Sequence, residues 1–128
     1  MSQTASADQP SPGERSDEVD DGIASTPMPP YTAVIFTSRR NADDEGAAYG
    51  SMAVEMDRLA RLQPGYLGIE GARSRDLLGI TVSYWADAEA ARAWKQVAEH
   101  LGAQQLGRER WYSDYRVRIA TVEREYGP

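Results

Sequence analysis

An α+β domain with the element order β-α-β-β-α-β is the fold that this 128-residue sequence predicts. Three observations predict it. Four β-branched or aromatic runs of strand length recur along the chain: "YTAVIFTSR" (31–39), "GYLGIEGAR" (65–73), "LLGITVSYW" (77–85) and "WYSDYRVRIATVER" (111–124). Two segments between them carry apolar residues at helical spacing. The second and third runs are separated only by "SRD", a short turn, so 65–85 is a hairpin. A hairpin flanked by two helices and two outer strands is the ferredoxin-like split βαβ arrangement, an antiparallel four-stranded sheet with both helices on one face.

Each element has its local signals. The first helix begins in "NADDEG", with Asn41 or Asp43 as its cap and acids complementing its first turn. Tyr49, Met52, Met56, Leu59 and Ala60 form its apolar stripe, and "QPG" stops it near Gln63. The second helix lies in "ADAEAARAWKQVAEHL", capped by Asp87 with Glu89 in the first turn; Ala91, Trp94, Ala98 and Leu101 form its stripe. "GAQQLGRER" extends this helix or forms a loop before the last strand.

Residues 1–30 stand apart from the domain at 31–126. They hold five of the seven prolines and no aromatic residue, a composition that buries too little apolar area to offset ordering entropy. A disordered tail is the expectation, with an arm wrapping a partner subunit as the alternative. The segment carries six acids (Asp8, Glu14, Asp17, Glu18, Asp20, Asp21) and one base (Arg15), a net of −5 out of the chain's −6. The domain is thus nearly neutral, which argues against nucleic acid. No apolar run approaches the roughly 20 residues of a membrane helix, and no signal-peptide pattern opens the chain. Absence of cysteine removes disulfides, thiolate nucleophiles and cysteine-ligated metals, and fits a cytoplasmic protein.

Strand alternation predicts a partner. In the last strand Tyr115, Val117, Ile119 and Thr121 point one way, and Tyr112, Arg116, Arg118, Ala120 and Val122 the other. In the third, Leu78, Ile80, Val82 and Tyr84 oppose Leu77, Thr81 and Trp85. Both faces are bulky and apolar, but the helices cover one. A two-fold homodimer joined sheet to sheet covers the other.

The available chemistry is narrow. No glycine-rich phosphate loop is present, and one histidine rules out a two-histidine iron site within a protomer and leaves catalytic zinc poorly supported. His100 is a candidate general acid/base, because imidazole titrates near neutrality; the alternative is an exposed histidine at a helix end. Trp94 either packs the core or walls a cleft for a flat substrate, with Met52 and Met56 opposite. Arg116 and Arg118 are edge charges or, if their face lines a cavity, a hold on an enolate or phenolate oxygen. Trp85 and Trp111 flank the second helix, chiefly as packing residues that border the same cleft.

With "MAVEMDRLARLQPGYLGIEGAR", "GITVSYWADAEAARAWKQVAEH" and "RWYSDYRVRIATVER" in place, residues 31–126 resemble the antibiotic-biosynthesis monooxygenase (ABM) domain family. The resemblance implies a dimeric α+β barrel with a substrate cavity between helices and sheet. It also implies a cofactor-independent monooxygenase, oxidising a small aromatic phenol with O₂ as co-substrate. The helix tryptophan of such enzymes matches Trp94, the polar residue six places on matches His100, and the last-strand arginine falls on Arg116 or, in another register, Arg118. An asparagine four before the tryptophan is replaced by Ala90. In the haem-degrading branch the ligating histidine falls on Gln104, and its first-strand asparagine has no match in "YTAVIFTSR", so haem is disfavoured. A non-catalytic small-molecule binder on the same fold is the reading from another class.

Overall fold

The computed structural model describes residues 22–41, 46–104 and 112–128, the side chains of residues 46–52 and 102–104 excepted. Its elements are β1 (Tyr31–Arg40), α1 (Gly46–Arg61), β2 (Tyr66–Arg73), β3 (Leu78–Trp85), α2 (Ala88–Gln104) and β4 (Tyr112–Val122). The strands form one antiparallel sheet in the order β2-β3-β1-β4. This is the α+β, ferredoxin-like layout with β1 and β3 central and β2 and β4 at the edges.

Local chemistry sets the boundaries. Asp87 caps α2: its Oδ1 accepts the Ala90 backbone N–H at 2.8 Å, an interaction typically worth ~1 kcal/mol. The cap of α1 lies outside the described residues. At the other end of α1 the Gln63 side-chain amide donates to the Leu59 carbonyl at 3.1 Å. Gly65 then turns the chain at φ 83°, and a Cβ there would sit 2.6 Å from the Ala90 Cβ. Both the left-handed backbone and the close approach of α2 therefore require glycine.

Two register shifts re-aim aromatic rings. Between Tyr66 and Gly68 the pairing with β3 slips, so that Tyr66 stands opposite Trp85. Between Arg39 and Arg40 the pairing passes from Asp114 to Tyr112. Regular alternation puts Tyr112 with Arg116, but the extra residue, Ser113, turns it to the opposite face. There its ring meets Phe36 at 5.2 Å.

The core lies between the sheet and the helices. Val34, Ala60, Trp85, Ala91 and Trp94 form one buried cluster. Trp85 is wholly inaccessible, and the Trp94 ring stacks on it at 5.6 Å with an interplanar angle of 20°. Tyr66 meets Trp85 edge-on at 5.7 Å. Ala60 and Ala91 supply the small side chains that let both helices close on these rings. The buried indole N–H of Trp85 donates to Ser83 Oγ at 2.9 Å, so the core holds a satisfied polar group.

The Trp85→Ala substitution is expected to cost about 3–5 kcal/mol, from lost transfer energy and the residual cavity. Ser83→Ala is expected to cost ~1–3 kcal/mol by leaving the indole N–H unpaired. Urea denaturation of the variants measures both; a Ser83→Ala protein as stable as wild type would show that the N–H finds another partner.

Candidate functional site

The register divides the expected site residues between two faces of one sheet. Thr32, Val34, Phe36 and Ser38 of β1 share the helix side with Thr81 and Trp85 of β3 and with Tyr115, Val117 and Ile119 of β4. Arg118 stands opposite Ile35, and Arg116 opposite Thr37, on the other face. Within the chain the sheet thus lies between the two arginines and Trp94.

On the helix side, Trp85 and Trp94 pack against one another in the core, and Met56 packs against that cluster. The side chain of Met52 and all of Trp111 are outside the described residues. Gln104 ends α2, its side chain undescribed. His100 is exposed. From Ala88 to His100 the helix rises about 18 Å, and it starts beside the end of β3 that carries Trp85. The helix runs on over β1 and β3. His100 lies near the end of α2, six residues beyond Trp94, which lies midway along it.

The Phe36 end of the sheet holds a group the sequence did not single out. α2 packs on β1 and β3, and α1 on β2 and α2. Among the described residues the helix side of β4 is partly open: Val117 packs against the core, while Tyr115 is 41% and Ile119 51% exposed. The rings of Phe36, Tyr112 and Tyr115 meet one another there at 5.2–6.2 Å, and Val117 continues the surface toward the core. This is an apolar, aromatic shelf with two phenols, suited to the face of a flat ring. At its far end Arg73 lies across Gly79, where a Cβ would come within 2.5 Å of Cζ. Arg73 Nη2 donates to Ser38 Oγ at 3.0 Å and Nη1 to the Leu77 carbonyl at 2.5 Å. Arg73, Gly79, Ser38 and Tyr115 form one cross-strand row, so a half-buried guanidinium borders the shelf. The bulge at Arg39/Arg40 hides this group from a reading by alternation alone.

The helix-free face carries a different chemistry. Residues 22–30, which composition groups with the tail, are fastened over one end of it. Glu70 accepts the Ala24 N–H at 2.8 Å and the Tyr84 hydroxyl at 2.7 Å. Glu125 accepts the Tyr31 hydroxyl and lies 2.8 Å from the Thr26 hydroxyl. Tyr31 and Tyr84 meet edge-on at 5.6 Å. These bonds hold the Glu125 carboxyl below its ordinary value and raise Tyr31 above its own. Burial, then the bond to Glu70, pushes Tyr84 up. Toward the opposite end of this face Leu78 and Ile80 are exposed.

Among the described residues, no three His, Cys, Asp or Glu side chains come together as a metal-ligand set. No helix among them is long and apolar enough to cross a membrane.

No family model matches the chain. Over 105 residues it is 47% identical to the uncharacterised protein YqjZ of Bacillus subtilis strain 168, spanning 82% of this chain and 90% of YqjZ. Among solved structures, PA3566 from Pseudomonas aeruginosa superposes with a TM-score of 0.57 at 20% identity, over 82% of this chain and all of that one. NE2512 from Nitrosomonas europaea gives 0.61 at 15% identity, over 77% and 95%. SnoaB, a cofactor-independent oxygenase from Streptomyces nogalater, gives 0.56 at 14% identity, over 77% and 97%. At such identities these structures share the fold.

Residues 22–30 are expected to loosen at acid pH. Because Glu125 is depressed, its contribution is complete above its ordinary value of 4.5 and is lost as pH falls through the lower folded value. The raised Tyr31 works in the opposite sense, its contribution being lost only as pH rises through a value above 10.0. Hydrogen exchange at Thr26 measures this. An acid step that persists in Glu125→Gln would contradict the assignment.

Proposed function

The chain belongs to the family of Bacillus subtilis YqjZ, and we propose that it is a cofactor-independent oxygenase that takes a small phenolic aromatic on the helix side of β4. The observation that carries this reading is the cluster of half-buried Phe36 and Tyr112 with exposed Tyr115, beside exposed Ile119, on the helix side of the sheet. The shared fold with the oxygenase SnoaB supports it.

The chemistry asks little of the protein. A phenol loses its proton, the electron-rich carbanion or phenolate reacts with O₂, and loss of water from the hydroperoxide leaves a quinone, one oxygen atom in product and one in water. His100, the chain's only imidazole and an exposed residue near the end of α2, is the base of this reading. Arg73 places positive charge beside the row of Tyr115, where it favours the phenolate. Trp94 acts through Trp85 by holding α2 on the sheet. The functional unit is a homodimer joined through the helix-free face, where Leu78 and Ile80 are exposed.

A non-catalytic binder is the second reading. It is favoured by the position of Arg116 and Arg118 across the sheet from the shelf, which leaves the strand-four arginines remote from a ligand bound within the same protomer.

An oxygen electrode with an anthrone-type phenol tests the proposal. Uptake above the buffer rate is expected, reduced about tenfold or more in Tyr115→Ala and about 10²-fold in His100→Ala. Binding without uptake would support the binder. Neither binding nor uptake across a panel of phenols would remove the shelf as a site.

A further inference from the structure

Gly79 is a glycine that its own backbone does not require. It sits inside β3, paired with Arg73 of β2 on one side and Ser38 of β1 on the other, and its φ is not among the positive ones. A glycine inside a strand weakens it and commonly marks a close approach. Here a side chain makes the approach. A Cβ at Gly79 would stand 2.5 Å from Arg73 Cζ and 2.8 Å from its Nε and Nη2. The guanidinium therefore crosses β3 through the space that a side chain would fill. It reaches β1, where Nη2 donates to the buried Ser38 Oγ at 3.0 Å and Nη1 to the Ser38 carbonyl at 3.4 Å. The hairpin turn adds a second unusual residue. Leu77 stands at φ 71°, in a region that glycine or asparagine usually occupies. Its carbonyl accepts Arg73 Nη1 at 2.5 Å and the Arg40 backbone N–H at 3.0 Å. Strain of this kind persists where the surroundings hold it, and it clusters at functional sites.

Both departures serve one guanidinium, and its place matters for the shelf. Across the sheet from Ser38 the next residue is Tyr115 of β4, one interstrand spacing or about 5 Å away. A guanidinium swinging in solvent has its charge screened and its donors disordered. One fixed in advance beside an apolar surface meets a ligand oxygen without that cost. We infer that Gly79, Ser38 and Leu77 form a seat that holds Arg73 at the edge of the shelf, so that the site takes a flat aromatic bearing an ionised oxygen, a phenolate, in preference to a neutral aromatic of the same shape. Arg73 is then the residue that sets specificity, and Gly79, Ser38 and Leu77 are positioning residues. The inference rests on the shelf reading above, and adds the ionic form of the ligand and the device that selects it. Gly79→Ala separates the seat from the fold. The new Cβ meets only the far end of a flexible side chain, so the arginine is displaced while the strand gains a side chain.

Absorbance of a nitronaphthol, whose phenol and phenolate bands are separate, tests this in buffer at the probe's own pKa. Bound to the wild-type full chain, the probe is expected to show a phenolate-to-phenol ratio about tenfold or more above that in buffer, because an opposite charge within ~4–6 Å favours the ionised form. The probe's methyl ether, which cannot ionise, is expected to bind more weakly. In Arg73→Gln and in Gly79→Ala the ratio is expected to fall back to the buffer value, with binding of the methyl ether unchanged. Urea denaturation confirms that each variant folds. A wild-type protein that binds neither probe overturns the shelf and this inference together. Binding with the buffer ratio, or an enrichment that survives Arg73→Gln, leaves the shelf standing and overturns the role of Arg73. An enrichment lost in Arg73→Gln but kept in Gly79→Ala overturns the seat.

Discussion

The stack of Trp94 on Trp85 is the contact on which the rest of this structure depends. It joins α2 to a central strand, and it does so only because Ala60 and Ala91 leave room and Ser83 satisfies the buried indole N–H. Fixing α2 along the sheet fixes where its last turns end, and hence which part of β4 stays uncovered. The aromatic shelf is a consequence of that placement. The helices are anchored over Trp85, and among the described residues Tyr115 and Ile119 on the helix side of β4 stay exposed.

Strand alternation imposes the second constraint. A period of two sends Tyr115, Val117 and Ile119 to the helix side, and Arg116 and Arg118 to the other. The two sets cannot act on one small molecule within one chain. The helix side offers aromatic area and a half-buried guanidinium, Arg73. The helix-free side offers exposed aliphatic area, charge at its edges and a segment fastened by Glu70 and Glu125. The first suits a flat ligand and the second a protein surface.

The layout was legible because it rests on local signals. Hydrophobic period, the Asp87 cap, the "QPG" stop and the short hairpin turn all act within a few residues. Trp94 was legible as a residue facing the sheet, since it lies on the α2 stripe, but spacing alone does not say whether such a ring packs or walls a cavity. The shelf was not legible. It depends on a bulge that adds Ser113 and turns Tyr112 toward Phe36, which strict alternation assigns the other way. Arg73 was missed for a related reason. Its partners Ser38 and Leu77 belong to other segments of the chain, and the gap it fills is made by Gly79. The fastening of residues 22–30 depends likewise on Glu70 and Glu125, far away in sequence, where composition reported only a proline-rich, acid-rich tail.

The central claim is that the helix side of β4 is where this protein meets its ligand. Backbone amide shifts followed by NMR during titration with a hydroxylated anthrone or naphthol test it most directly. The account predicts perturbations concentrated at Phe36, Tyr112, Tyr115 and Ile119, fading toward Trp85. Perturbations confined to Leu78, Ile80, Arg116 and Arg118, with the shelf unmoved, would place the ligand on the other face and contradict it.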